Sequence, residues 1–247
     1  MNDKQEAKIK KPEVLAVIMA RGGSVGLPGK SLKPLLGKPV LAYTFDHVRE
    51  SKLITRTVVS SDDPAILELS RKKGFETIER PPELATSAAA TDPVLRHAVR
   101  AKYPQGNLPA AVVMLYGNVP IRQHQMIDRC IEMFQATGAD SVQTIAPVGK
   151  FHPYWMFDRD EAGHIQKHIP NNIYRRQDLP PLYSPTGAVY VMKTDVLMAA
   201  EGSSDPHAFL GIDRRGLLVD PEDSVDIDTA KDLFVAEALL RTMQEKG

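Results

Sequence analysis

Val14-Leu15-Ala16-Val17-Ile18-Met19-Ala20-Arg21-Gly22-Gly23-Ser24-Val25-Gly26-Leu27-Pro28-Gly29-Lys30-Ser31 is the stretch on which the reading of the fold turns. Its first six residues are apolar without alternation, and a glycine cluster closes the run. A strand apolar at every position has both faces buried, which is the situation of a parallel strand with helices packed on each side. Downstream, the spacing predicts a helix over residues 40–48 with Pro39 at its first turn, then a strand over 56–61. Asp62-Asp63-Pro64 follows, then a helix running through Lys73 to a stop at Gly74. The alternation continues as a strand at 75–78, a helix at 91–101, a strand at 110–115, a helix at 125–136 and a strand at 141–147. Further strands are expected at 187–192 and 217–219, with a terminal helix to about Met243. Strands alternating with helices of this length predict an α/β fold, a doubly wound and mostly parallel sheet. Ligands of such sheets sit at the carboxyl ends of the strands.

Two segments fall outside the alternation. Residues 1–12 are polar and aperiodic and read as a frayed tail, with 13–247 as a single domain. Residues 149–185 hold Trp155, Pro180, Pro181, Pro185 and the Arg175-Arg176-Gln177 cluster, and read as an insertion, since so long a structureless loop inside a compact domain is usually a functional or interaction arm.

Composition narrows the function classes. Of 247 residues 43% are hydrophobic, and Lys+Arg and Asp+Glu both number 31, giving a net charge of zero. A bulk nucleic-acid binder needs a basic excess, so that class is set aside. The apolar run at residues 14–20 follows lysines but ends in Arg21, which does not suit a cleaved leader, and nothing nears the roughly 18 apolar residues of a membrane helix. A lone cysteine, Cys130, reads as a small buried apolar group of a reducing compartment. The expectation is a soluble cytoplasmic protein.

The glycine loop supports three rival motifs. A Walker loop requires four residues between its first glycine and Gly-Lys-Ser, but five separate Gly23 from Gly29, and Pro28 lacks an N–H. Gly22-Gly23-Ser24-Val25-Gly26 fits a hydrolase nucleophile elbow, yet a single strand precedes Ser24 and the flanking Arg21 and Lys30 suit an anion better than an acyl group. The third reading is a backbone loop with Arg21 and Lys30 at its ends, wrapped round a polyphosphate. Near the far end of the chain, Asp226 and Asp228 lie two apart. If that segment is extended they share one face and can hold Mg²⁺, whereas in the rival reading Asp228, or Thr229, simply caps the terminal helix. Lys33, Asp62 and Asp63 either approach a nucleotide or shape turns, and His164 and His168 read as structural.

These residues resemble a family. Ala20-Arg21-Gly22-Gly23-Ser24 with Gly29-Lys30 is similar to the nucleotide loop of the sugar-activating cytidylyltransferases, the CMP-sialic acid synthetase (acylneuraminate cytidylyltransferase) group. Arg80-Pro81-Pro82-Glu83-Leu84-Ala85, Arg176-Gln177-Asp178-Leu179-Pro180-Pro181, Pro185-Thr186-Gly187 and Ser224-Val225-Asp226-Ile227-Asp228-Thr229 match in order across residues 14–240. The resemblance implies a Rossmann-like nucleotidyltransferase that joins CTP to a nine-carbon 2-keto sugar acid and releases pyrophosphate. It implies Arg21, Lys30 and Asp228 in catalysis, and Ala20, Arg21, Gly22, Gly23, Lys30, Ser31, Arg80, Ala89 and Thr91 around the nucleotide. Asp226 and Asp228 would hold Mg²⁺. Tyr116, Asn118, Arg122, Arg176 and Gln177 would lie on the sugar side, and the insertion would be the dimerisation arm of a homodimer. The sequence departs from the pattern at Tyr116, where the family has Gln, and at Ser31, Ser87-Ala88 and Thr186. The phosphate and metal equipment is retained while sugar-side groups change. A nucleotide-binding module without transfer activity is the alternative.

Overall fold

The computed structural model describes residues 12–24 and 26–246. The tail expected at 1–12 therefore lies outside the described residues except for Pro12, as does Val25 of the glycine loop.

The chain enters as β1 (Val14–Met19), then passes through a short hairpin, β2 (Pro34–Leu35) and β3 (Lys38–Pro39), into α1 (Val40–Glu50). Leu36 and Gly37, both at positive φ, make that tight turn. Next come β4 (Arg56–Ser61), α2 (Pro64–Lys72), β5 (Glu76–Glu79), α3 (Thr91–Lys102) and β6 (Ala111–Tyr116). A two-residue β7 (Ile121–Arg122) precedes α4 (Met126–Thr137) and β8 (Ser141–Pro147). The insertion holds an antiparallel hairpin, β9 (Phe157–Arg159) and β10 (Ile165–Lys167), and leads into β11 (Tyr183–Lys193). The chain closes with α5 (Thr194–Ala199), β12 (Arg214–Leu218), β13 (Ser224–Val225) and α6 (Ala230–Lys246).

Seven strands form one sheet in the order β12-β8-β11-β6-β1-β4-β5. All neighbours are parallel except β11, which runs antiparallel to both β6 and β8. The unbroken apolar run of β1 has the cause inferred for it. Val14, Ala16 and Ile18 pack into a core with α1 and α4, while Leu15, Val17 and Met19 pack into a second core against α3 and α5. β4 and β5 build out on one side of β1 and β6 lies on its other side, so the chain reverses its direction of growth at β1 and β6. That switch point opens a crevice beyond the strand ends.

Several boundaries moved for tertiary reasons. β11 begins at Tyr183 rather than 187 because residues 183–185 pair with the end of β8, after which the register shifts before Tyr190, with Gly187 at φ +75° in between. The β9–β10 hairpin and the six-residue α5 have too few residues for a periodic signal. Asp160 and Asp158 lie 2.9 and 3.0 Å from His164 and His168 beside that hairpin. Cys130 is fully buried, which pushes its thiol up to about 12. Among the described residues no helix is long and apolar enough to cross a membrane.

At the sheet edge, Glu76 accepts from Arg56 at 2.8 Å and from Lys102 at 2.9 Å, tying β5 to β4 and to the end of α3. These bonds hold its carboxyl down at about 2, with Arg56 the largest cause. A carboxyl depressed on folding adds stability above its ordinary value of 4.5 and loses it as pH falls towards 2. Glu76→Gln is expected to flatten the acid limb of a stability–pH curve across that window, as read by urea denaturation.

Candidate active site

At the switch point lies a cleft of about 390 Å³, a size ordinary for a small-molecule site. β1 ends at its floor, where the Ala20 N–H donates to the Ser60 carbonyl at 3.1 Å. The chain then turns through Arg21, and the Gly22 N–H donates to Asp62 Oδ1 at 3.1 Å. A Cβ on Gly22 would meet Asp63 Oδ2 at 2.7 Å, so glycine is required by close approach. Asp63 accepts from Ala65 N–H at 2.7 Å and caps α2. Asp62 and Asp63 thus shape the loop and the helix start and do not line the cleft.

Three more walls complete it. Lys30 opens a short 3₁₀ turn after Gly29, with Ser31 buried behind it. Arg80 follows β5 and is buried, its Nε donating to Ser60 Oγ at 3.2 Å and its Nη2 to the Ser60 carbonyl at 2.9 Å. Burial draws its pKa below the ordinary guanidinium value, against the opposing field of Asp62, so this cation favours an anionic or polar ligand beside it. Ala89, Ala90 and Thr91 bring the start of α3, which has no side-chain cap, to the cleft. Its first amides are unsatisfied by the helix itself and favour negative charge. Burial pushes the Tyr116 phenol up to about 12, so at neutral pH it stays protonated in the cleft wall.

The carboxylates stand opposite Lys30. Asn118 Nδ2 donates to the Ile227 carbonyl at 2.9 Å and the Ile227 N–H returns a bond to the Asn118 carbonyl, which fixes the backbone between Asp226 and Asp228. The question of the cap is settled in favour of Thr229: its N–H and hydroxyl bond Asp232 Oδ2 at 2.7 and 2.9 Å, and Asp232 N–H points back to Thr229 Oγ1. This reciprocal box leaves the Asp228 side chain free of the helix. Its Oδ1 takes the Lys30 ammonium at 2.6 Å. Burial, then the Asp228 charge, raises the pKa of Asp226. Two carboxylates suit Mg²⁺, which takes one or two from protein and completes its shell with water and phosphate oxygens. Among the described residues no three His, Cys, Asp or Glu side chains gather as a fuller cage.

The cleft therefore unites Ala20, Arg21, Lys30, Ser31, Arg80, Ala89, Thr91, Tyr116, Asn118, Asp226 and Asp228. Gly22 and Gly23 lie in the loop but do not line the cleft, and Gly23 is exposed. Three sugar-side expectations fall elsewhere. Arg122 is only 6% exposed and is consumed by structure: Nε donates to the Ala188 carbonyl at 2.8 Å, Nη1 to Val119 and Nη2 to Tyr116, both at 2.7 Å. Arg176 and Gln177 lie exposed on the insertion, away from the cleft of their own chain. Leu84, Thr86, Ser87 and Val94 also line the cleft, beyond the residues the sequence points to. Leu84, Thr86 and Ser87 lie within residues 80–91 and Val94 one turn into α3; Leu84 stands in the matched motif and Ser87 at a departure from it, while Thr86 and Val94 carry no charge that would mark them. No histidine lines the cleft among the described residues, so the nucleophile pair that a Ser24 hydrolase needs is not assembled.

A cationic glycine loop, an uncapped helix start and a carboxylate turn meeting at the ends of parallel strands define a nucleotide-handling site of the nucleotidyltransferase kind. The profile described as Cytidylyltransferase matches residues 15–196, and the chain belongs to that family. It is 27% identical to the pseudaminic acid cytidylyltransferase of Campylobacter jejuni (serotype O:2), over 94% of this chain and 98% of that one. It is 28% identical to the N-acylneuraminate cytidylyltransferase of Streptococcus agalactiae (serotype V) over 89% of this chain, and spans about half of that relative, 51%. Among solved structures, a CMP:2-keto-3-deoxy-manno-octonic acid synthetase complexed with CTP superimposes with a TM-score of 0.70 at 18% identity, covering 94% of this chain and 99% of that one. That likeness places the fold.

Proposed function

We propose that this protein is a cytoplasmic, Mg²⁺-dependent cytidylyltransferase that joins CTP to a 2-keto sugar acid of the nonulosonic class, giving the CMP-sugar and pyrophosphate. The observation that carries the reading is the meeting of Arg21 and Lys30 with Asp226 and Asp228 across one cleft. Arg21 and Lys30 neutralise the triphosphate and the departing pyrophosphate, while Arg80 and the first amides of α3 hold the rest of the nucleotide. The anomeric hydroxyl of the acid attacks the α-phosphorus, the bond to the β-phosphate oxygen breaks, and the hydroxyl proton passes to solvent or to a carboxylate of the turn. Asp226 and Asp228 would hold the metal, whose chemistry when bound is to spread the charge that develops on the phosphoryl oxygens. Tyr116 and Asn118 line the acceptor side. Relatives named for N-acylneuraminate and for pseudaminic acid support the acceptor class and leave its member open. Pyrophosphate release measured with Mg²⁺ across CTP, UTP, GTP and ATP, each against a panel of 2-keto sugar acids, tests the reading. CTP with one acid is the expected productive pair, and silence with no nucleotide binding overturns it.

The reading extends to a homodimer. Phe151, Phe157, Ile165 and Tyr174 are all exposed apolar groups on the insertion, apolar surface of the kind an interface covers. A neighbouring chain would then receive Arg176 and Gln177 beside its acceptor. Sedimentation velocity is expected to show a dimer, and Ile165→Asp a shift towards monomer with slower pyrophosphate release. A wild-type monomer at micromolar concentration would remove the dimer from the proposal.

A further inference from the structure

We propose that Lys30 occupies Asp228 as a stand-in cation in the resting protein, so that a divalent metal gains this carboxylate only when a nucleotide draws the ammonium away. The inference rests on the nucleotidyltransferase reading of the cleft. Four observations carry it. The Lys30 ammonium lies 2.6 Å from Asp228 Oδ1, and the lysine side chain is 13% exposed against 65% for the carboxylate. The cation is thus held in the wall while its partner is reachable from solvent. Thr229 and Asp232 satisfy the start of α6 between themselves, so the Asp228 side chain has no capping duty, and beside Lys30 it takes a long 3.4 Å contact from Asn118 Nδ2. Asn118 pins the backbone at Ile227, so the turn stays in place and the flexible partner is the lysine stem. Finally, the glycine loop is seated directly on this turn: a Cβ at Gly26 would stand 2.5 Å from the Asp228 carbonyl oxygen. Loop and turn are registered against each other before any ligand arrives.

The physical consequence is an exchange. A metal arriving alone must displace an ammonium that already neutralises Asp228, and it gains little over the contact it breaks. A triphosphate supplies Lys30 with a better anion and brings oxygens that complete the metal shell, so both replacements become favourable together. Each ligand then strengthens the other by the same factor. The latch also keeps Asp228 from carrying an unneutralised charge in the empty cleft.

The test is binding of Mn²⁺, followed by the electron paramagnetic resonance of the free ion, with and without CTP and with no acceptor present. In the wild type, CTP is expected to raise Mn²⁺ affinity by about tenfold or more. Lys30→Met should bind Mn²⁺ without nucleotide about tenfold more tightly than the wild type, a gain of about 1.4 kcal/mol, and show a much smaller CTP effect. Lys30→Arg keeps the charge and should retain the wild-type weakness without nucleotide. Asp228→Asn should bind weakly in both states. Circular dichroism establishes that each variant is folded. The proposal is overturned if Lys30→Met, folded, binds Mn²⁺ no more tightly than the wild type in the absence of nucleotide. A wild type that fails to bind CTP at all would instead strike the cytidylyltransferase reading, a result the nucleotide-free comparison does not depend on.

Discussion

Asp228→Asn is expected to lower pyrophosphate release with CTP and Mg²⁺ by about 10²–10³-fold, the scale of losing one preorganised charge at a reacting phosphoryl group. The amide keeps the shape and removes the anion. It loses the attraction for Lys30 and the affinity for a hard cation in one change. Because the side chain is 65% exposed and Thr229 caps α6, folding should shift by no more than about 0.5 kcal/mol. Retained turnover in this variant would refute the role given to the turn. Asp226→Asn should damage turnover similarly and yet behave differently in stability. Its carboxyl pKa is raised on folding by burial and by Asp228, so the folded protein binds the proton more tightly than the unfolded chain does. Stability from this group is present below its ordinary value of 3.8 and is lost as pH rises through the raised value. The Asn variant should therefore melt above the wild type at pH 7 and converge with it in acid, a convergence visible by scanning calorimetry at several pH values.

The largest stability effect is expected at Arg122. Arg122→Met should cost about 3–5 kcal/mol, since removing a buried charged donor takes the short hydrogen bonds from the carbonyls of Tyr116, Val119 and Ala188 together and leaves the first two to share one long contact, 3.4 Å, with the Thr44 hydroxyl. For a chain of this size that is a fall in Tm of about 10 °C or more. No acidic side chain pairs with this cation among the described residues, and burial alone draws its pKa down to about 9. Its stability comes from geometry, with a planar fork serving β6, the following loop and β11 at once. Arg122→Lys should recover little, because a single ammonium cannot reach three carbonyls that converge from different elements. His47, whose Nδ1 lies 3.4 Å from Arg122 Nη1, is held neutral by burial and by that charge, down to about 3, and adds no titration near neutral pH. A variant with unchanged Tm and an altered acceptor preference would return Arg122 to the sugar side.

Local pattern was enough for much of this molecule. The unbroken apolar run at residues 14–19 requires cover on two faces, and that alone implies helices on both sides of a parallel sheet. Gly74, at positive φ just beyond α2, stops that helix where the sequence says it stops. The charge pattern of the glycine loop selected a polyphosphate over an acyl group. What local pattern could not supply was the partner of each polar group. Arg122 looks like any arginine after a strand until Ala188, distant in sequence, is seen to accept from it. Asp228 and Thr229 are equally good caps on paper, and the choice falls to Thr229 because Asp232 reaches back to it and Lys30 takes Asp228 from another element. The reversed direction of β11 likewise follows from a long excursion through the insertion, whose length is visible in sequence and whose return path is not. Period and composition are properties of neighbours along the chain and fix elements and chemistry class. Hydrogen bonds between groups far apart in sequence exist only once the chain has folded, and they alone decided which charges build the scaffold and which face the cleft.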